Sequence, residues 1–223
     1  MAEQLSFDLP VRQALGREDF FVAPSNATAV AMIEGWYDWP ARKLCLVGDP
    51  GSGKTHLTHV WAALSGAKIV RARSLVKENI PVLASGSVAV EDVCSIAGNL
   101  EIEEALFHLH NLTLAEGHSV LFTARKAPSR WSLALPDLAS RMQGTPTITL
   151  GPPDDTLLSA VLMKHLSDRQ LMPSPETIPY LARRIDRSFD AARQVIAQLD
   201  AYALQTGRPI TRNMAAKLLD EGN

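Results

Sequence analysis

Leu44-Cys45-Leu46-Val47-Gly48-Asp49-Pro50-Gly51-Ser52-Gly53-Lys54-Thr55 decides the fold. The four apolar residues read as a buried strand. Gly48 to Thr55 follow the pattern G-x-x-x-x-G-K-T, and the residues after it predict a helix over Lys54–Ser65. Strand, loop and helix in that order are what a phosphate-binding loop requires. The glycines let backbone N–H groups turn inward and cradle phosphate oxygens, and the helix N-terminus adds its positive dipole end. Lys54 is placed to reach β- and γ-phosphates. Thr55 can offer its hydroxyl to a bound Mg2+, and His56 is the next residue along the nucleotide. ADP or ATP with Mg2+ is therefore the expected cofactor.

The chain of 223 residues is 46% hydrophobic and 21% charged, enough for an α/β domain with a smaller second one. No apolar run approaches membrane-spanning length, and residues 1–20 lack a basic start followed by an apolar core, so a cytoplasmic location is expected. A net charge of −2 argues against broad nucleic-acid binding by charge alone. The two cysteines, Cys45 and Cys94, read as small buried hydrophobes.

Strands are expected at Lys43–Val47, Ala67–Arg71, Ser87–Val93, Ser119–Thr123 and Thr147–Leu150. Helices are expected at Ser25–Trp39, Lys54–Ser65, Leu100–Ala115 and Leu135–Met142. This alternation predicts a parallel sheet with helices on both faces. After Gly151-Pro152-Pro153 the strands stop, and helices are expected at Asp154–Arg169, Pro175–Arg184, Ser188–Thr206 and Thr211–Glu221. The expected organisation is a leader (1–20), an α/β nucleotide domain (21–151) and a small helical lid (152–223).

Glu91 and Asp92 end the third strand, where acids face the mouth of a parallel sheet. Glu91 could hold the metal and Asp92 could orient or deprotonate an attacking water. Thr123 closes the next strand and could position that water. Ser140-Arg141 precede the last strand. In isolation Arg141 is a solvated charge, but head-to-tail packing against a similar subunit would carry it to a neighbour's γ-phosphate.

The blocks GDPGSGKTHL, Glu91-Asp92, EEALFHLHN (Glu103 to Asn111), the strand leading to Thr123 and Pro128, and Leu138-Ala139-Ser140-Arg141 resemble, in that order, the AAA+ ATPases. They are most similar to the AAA+ module of the replication initiator DnaA over about residues 20–220. The leader run Gln4-Leu5-Ser6-Phe7-Asp8-Leu9 resembles the peptide that docks on the bacterial sliding clamp. Gln4 can hydrogen-bond in a small pocket, and Leu5, Phe7 and Leu9 offer apolar anchors. With the chain ending at Asn223, no appended DNA-binding domain and no direct sequence-specific DNA contact are expected. The combination resembles the Hda family, regulatory inactivators of DnaA. The resemblance implies DnaA and the clamp as partners, Arg141 acting on DnaA-bound ATP, and no membrane partner; a homo-oligomer fits the same head-to-tail packing.

Three departures qualify it. Glu91 stands where the family carries Asp, and Arg125-Lys126 replace an Asp near position 125. Asp190 falls at the position of the lid's phosphate-sensing arginine, with Arg193 one turn on. Weak intrinsic hydrolysis and a diphosphate-bound state would follow. A stand-alone ATPase such as a helicase loader, and a non-catalytic nucleotide-dependent adaptor, remain alternatives at this point.

Overall fold

A computed structural model describes residues 15–221. The sequence run Gln4–Leu9 lies outside the described residues. Five strands form one sheet: β1 (Lys43–Gly48), β2 (Lys68–Arg71), β3 (Val88–Glu91), β4 (Val120–Ala124) and β5 (Thr147–Leu150). Their order is β2-β3-β4-β1-β5 and every pairing is parallel. All six residues of β1 are buried, as a strand covered on both faces must be.

One face carries α1 (Ala27–Glu34) and α2 (Lys54–Ser65). Ile33, Leu57 and Trp61 close on Leu44, Leu46, Ala89 and Leu121 there. Trp39 stacks on Trp61 at 5.2 Å, so the tryptophans before the loop are core, while Tyr37 is exposed. The other face carries α3 (Ile80–Ala84), α4 (Leu100–Ala115) and α5 (Pro136–Gln143). Leu106, Leu109, Leu138 and Met142 pack there on Cys45, Val90, Val120 and Phe122. The chain therefore leaves β1 over one face and returns to its neighbours β4 and β5 over the other. That switch in direction opens a crevice at the C-terminal ends of the strands.

Residues beyond β5 form α6 (Asp155–Asp168), α7 (Thr177–Arg184), α8 (Phe189–Thr206) and α9 (Arg212–Glu221). Leu158, Leu162, Leu181, Ile196 and Leu199 give these helices a core of their own. Ser188 caps α8 by accepting the Ala191 N–H at 3.0 Å, and Gly207 ends it in a left-handed conformation.

Several expected boundaries move. The third strand stops at Glu91 rather than Val93, because Asp92 takes φ +56° and a 3-10 turn over Val93–Ile96 follows. The first helix ends at Glu34 with Gly35, and short 3-10 turns occupy the rest of the expected span. Pro175 lies in a turn, and its helix begins at Thr177.

Glu103 is a fully buried acid. Its Oε1 accepts the N–H groups of Gly98 (2.7 Å) and Ala134 (3.1 Å), and its Oε2 accepts that of Leu135 (2.7 Å). One carboxylate thus ties the start of α4 to the residues that launch α5. Bonds to a charged acceptor contribute about 1.5–3 kcal/mol each. Glu103→Ala leaves three part-buried donors without their carboxylate and is expected to destabilise the fold by about 2–3 kcal/mol in urea unfolding. A loss under 1 kcal/mol would show that the carboxylate is dispensable.

Candidate functional site

The phosphate loop leaves β1 at Gly48 and enters α2 at Lys54. Gly51 and Gly53 hold φ of +81° and +94°, a region that disfavours other residues. A Cβ on Gly51 would lie 3.0 Å from Phe189 Cβ, and one on Gly53 would lie 2.9 Å from the Phe20 ring. The loop is thus pinched between the segment before α1 and the N-terminus of α8. Phe20 also meets the His56 ring edge-on at 5.0 Å, and His56 Nε2–H donates to Gly16 O at 2.7 Å. His56, expected along the nucleotide, has its ring committed to the leader segment.

Lys54 Nζ donates to the loop carbonyls of Gly48 (2.7 Å) and Asp49 (2.8 Å). Burial lowers its pKa most, while the Asp92 carboxylate opposes that shift and the Arg125 charge adds to it. Thr55 is exposed at the first turn of α2. Ser52 Oγ is buried without a hydrogen-bond partner.

Glu91 ends β3 on the sheet face shared with Ala89, the face that α2 covers. Its Oε1 is buried with no hydrogen-bond partner. An unsatisfied carboxylate oxygen at this edge is a donor that suits a hard divalent cation. Thr123 is 2% exposed, and its Oγ1 accepts the Asp92 N–H at 3.2 Å. The structure therefore brings Glu91, Asp92 and Thr123 together at the mouth of the sheet beside Lys54.

A cleft of about 480 Å³ adjoins the loop, lined by Asp49, Arg125, Arg187, Phe189, Asp190 and Arg193 among others. Arg193 pairs with Asp190, and Arg187 pairs with Asp155 at 2.9 Å. The position expected for a phosphate-sensing arginine thus holds an acid that engages the arginine one turn away.

Arg141 lies elsewhere. It is exposed on α5, with its guanidinium 5.9 Å from the Phe107 ring centroid. Its carbonyl accepts from Lys43 Nζ (3.1 Å) and from Thr145 Oγ1 (3.0 Å). Lys43 begins β1, so Arg141 sits at the N-terminal end of the strand whose other end carries the phosphate loop. At about 3.3 Å per residue, those two ends are roughly 17 Å apart. Phe20-Phe21-Val22 read in the sequence as a segment that could border the adenine, but sequence patterns gave no sign of the Lys43 contact or of Phe189 at the loop. The one available signal was Glu103, an acid at an inward position of an amphipathic helix.

Sheet order, loop and flanking helices define a P-loop nucleotide-binding module followed by a helical segment. No family model matches the chain. It is 32% identical over 187 residues to an uncharacterized protein of Haemophilus influenzae, covering 78% of this chain and 79% of that one. It is 27% identical over 233 residues to the chromosomal replication initiator protein DnaA of Thermomicrobium roseum, covering 92% of this chain but only 49% of the initiator. The chain thus spans about half the length of the initiators it matches. Domain III of DnaA from Thermotoga maritima superimposes with a TM-score of 0.75 at 21% identity, covering 96% of this chain and 98% of that domain. DnaA of Aquifex aeolicus in its AMPPCP-bound form gives a TM-score of 0.68 at 16% identity, covering 90% of this chain and 68% of that one. The chain is thus similar in sequence to DnaA initiators and shares the fold of DnaA domain III. No described helix is long and apolar enough to cross a membrane.

His110 on α4 is buried, stacks on Phe122 at 6.3 Å and bonds Asn111 Oδ1 through Nδ1 at 3.0 Å. Burial lowers its pKa from the ordinary 6.5; Asn111 opposes this, and the Lys43 and Arg141 charges add to it. As pH falls below about 6.5 the unfolded chain takes up this proton before the folded one, so stability that is full above that pH is lost below it. The urea midpoint is expected to drop between pH 7.5 and 5.5, and to drop less in His110→Phe. An equal drop in the variant would remove His110 from the account.

Proposed function

We propose that this chain regulates replication initiation in the manner of the Hda family. It hangs from the sliding clamp by Gln4–Leu9 and supplies Arg141 to ATP held by DnaA. The observation that carries this reading is the placement of Arg141: exposed, anchored through its carbonyl, and at the sheet end opposite the chain's own phosphate loop. An arginine there serves a nucleotide on a neighbouring subunit. The resemblance of the leader run to a clamp-docking peptide and the chain's likeness to DnaA support this choice of partners.

The chain's own crevice takes ADP or ATP. Gly48–Thr55 cradle the phosphates through backbone N–H groups, and Lys54 leaves the loop carbonyls for phosphate oxygens. Thr55 and Glu91 hold Mg2+, which when bound neutralises phosphate charge. Asp92 and Thr123 orient water at the terminal phosphate. The helices after β5 act as a lid on this crevice. Because Arg193 is engaged by Asp190, hydrolysis by the chain itself is slow, and its nucleotide state serves to set the shape that faces DnaA.

In trans, the Arg141 guanidinium stabilises charge developing on the transferred phosphoryl group. Such an arginine accelerates hydrolysis by about a thousandfold or more. With DnaA, clamp and DNA reconstituted, Arg141→Ala is expected to abolish conversion of DnaA-bound ATP while this chain still binds nucleotide. Deleting residues 4–9 is expected to abolish conversion only where the clamp is required. Undiminished conversion by Arg141→Ala would refute the role. Turnover by the purified chain that nucleic acid stimulates, without need of residues 4–9, would favour a stand-alone ATPase.

A further inference from the structure

Arg125 follows the last residue of β4, and it stands where the resemblance leads one to expect an acid. The strand register pairs Ala124 with Val47, so the next level sets Arg125 beside Gly48, the first residue of the phosphate loop. Its side chain lines the cleft together with Asp49 and Arg193. The two other arginines lining that cleft are committed, Arg187 to Asp155 and Arg193 to Asp190. Arg125 forms no hydrogen bond or ion pair among the described residues, and it is exposed to the cleft.

We propose that Arg125 is a phosphate-binding residue of this site, contacting the terminal phosphate of a nucleoside di- or triphosphate in place of the lid arginine that Asp190 displaces. The proposal rests on the nucleotide-binding reading above. Arg125 and Lys54 are near enough to repel, since the Arg125 charge pushes the Lys54 pKa down. Two cations facing one crevice are relieved by a polyanion between them. Lys54 acts as a point charge, whereas the planar guanidinium offers a fork that matches two phosphate oxygens. The uncommitted cation of the cleft thus comes from the sheet, whereas the helical segment's two arginines lining it are paired with carboxylates.

The test is calorimetric titration of the full chain with ADP, ATP and adenosine as separate probes. A charge-assisted bond of about 1.5–3 kcal/mol corresponds to about tenfold or more in affinity. Arg125→Gln is expected to weaken both ADP and ATP by about tenfold or more, with the unfolding midpoint in the absence of nucleotide unchanged. Arg125→Lys should recover part of that loss, and Arg193→Gln should cost less than Arg125→Gln. Wild-type affinity for both nucleotides in Arg125→Gln would overturn the proposal while leaving the nucleotide reading intact, as would an equal loss for adenosine. A wild-type chain that binds neither nucleotide would overturn both.

Discussion

Two phenylalanines closing on two glycines set the shape of the site. Gly51 and Gly53 take backbone conformations that other residues avoid, and a Cβ would crowd the Phe189 Cβ at Gly51 and the Phe20 ring at Gly53. Phe20 comes from the segment before α1 and Phe189 from the first residue of α8. The loop's curvature therefore depends on elements far apart in sequence. Ser25 N–H donating to Asp154 Oδ2 at 3.2 Å, with Asp154 also capping α6, ties the segment before α1 to the start of α6. A ligand that presses on the loop presses on α8 as well, which gives nucleotide state a direct route to the helical segment.

The second constraint is polarity along the sheet. Parallel strands place every C-terminal end, and with it the phosphate loop and the acids Glu91 and Asp92, at one edge. Arg141 is fastened at the other edge, by Lys43 to the start of β1 and through α5 to Glu103. On the proposed reading, Arg141 stands too far from the phosphate loop of its own chain to serve it, and acts on phosphates held by another subunit. This division is what an activator of another subunit's hydrolysis needs, and it requires no reactivity in the chain that donates the arginine.

Much of the fold was legible because its signals are local. The β1–loop–α2 unit and α4 fall at the expected residues. In α4, Asn99 accepts the Ile102 N–H as a cap, and Gly117 ends the segment at positive φ. The miss at Val93 came from a backbone turn at Asp92, an acid at φ +56° that no apolar pattern announces. Short α3 was missed because five residues carry too little periodicity to read. At the site, sequence gave the residue types, and the structure brings Glu91, Asp92, Thr123 and Lys54 to one edge. It does not bring Arg141 there, and it turns His56 toward Gly16. The pairings that decide which cations are free, Arg193 with Asp190 and Arg187 with Asp155, depend on rotamers and tertiary approach, which composition does not encode.

The central claim is that the hydrolysed nucleotide belongs to another subunit. DnaA loaded with one isotopically labelled ATP, and this chain loaded with a differently labelled ATP, can be mixed with clamp and DNA and both labels followed. The account predicts that the label on DnaA becomes diphosphate at a rate set by the amount of this chain, while the label on this chain converts slowly. Rapid conversion of this chain's own label, with DnaA's left intact, would contradict it.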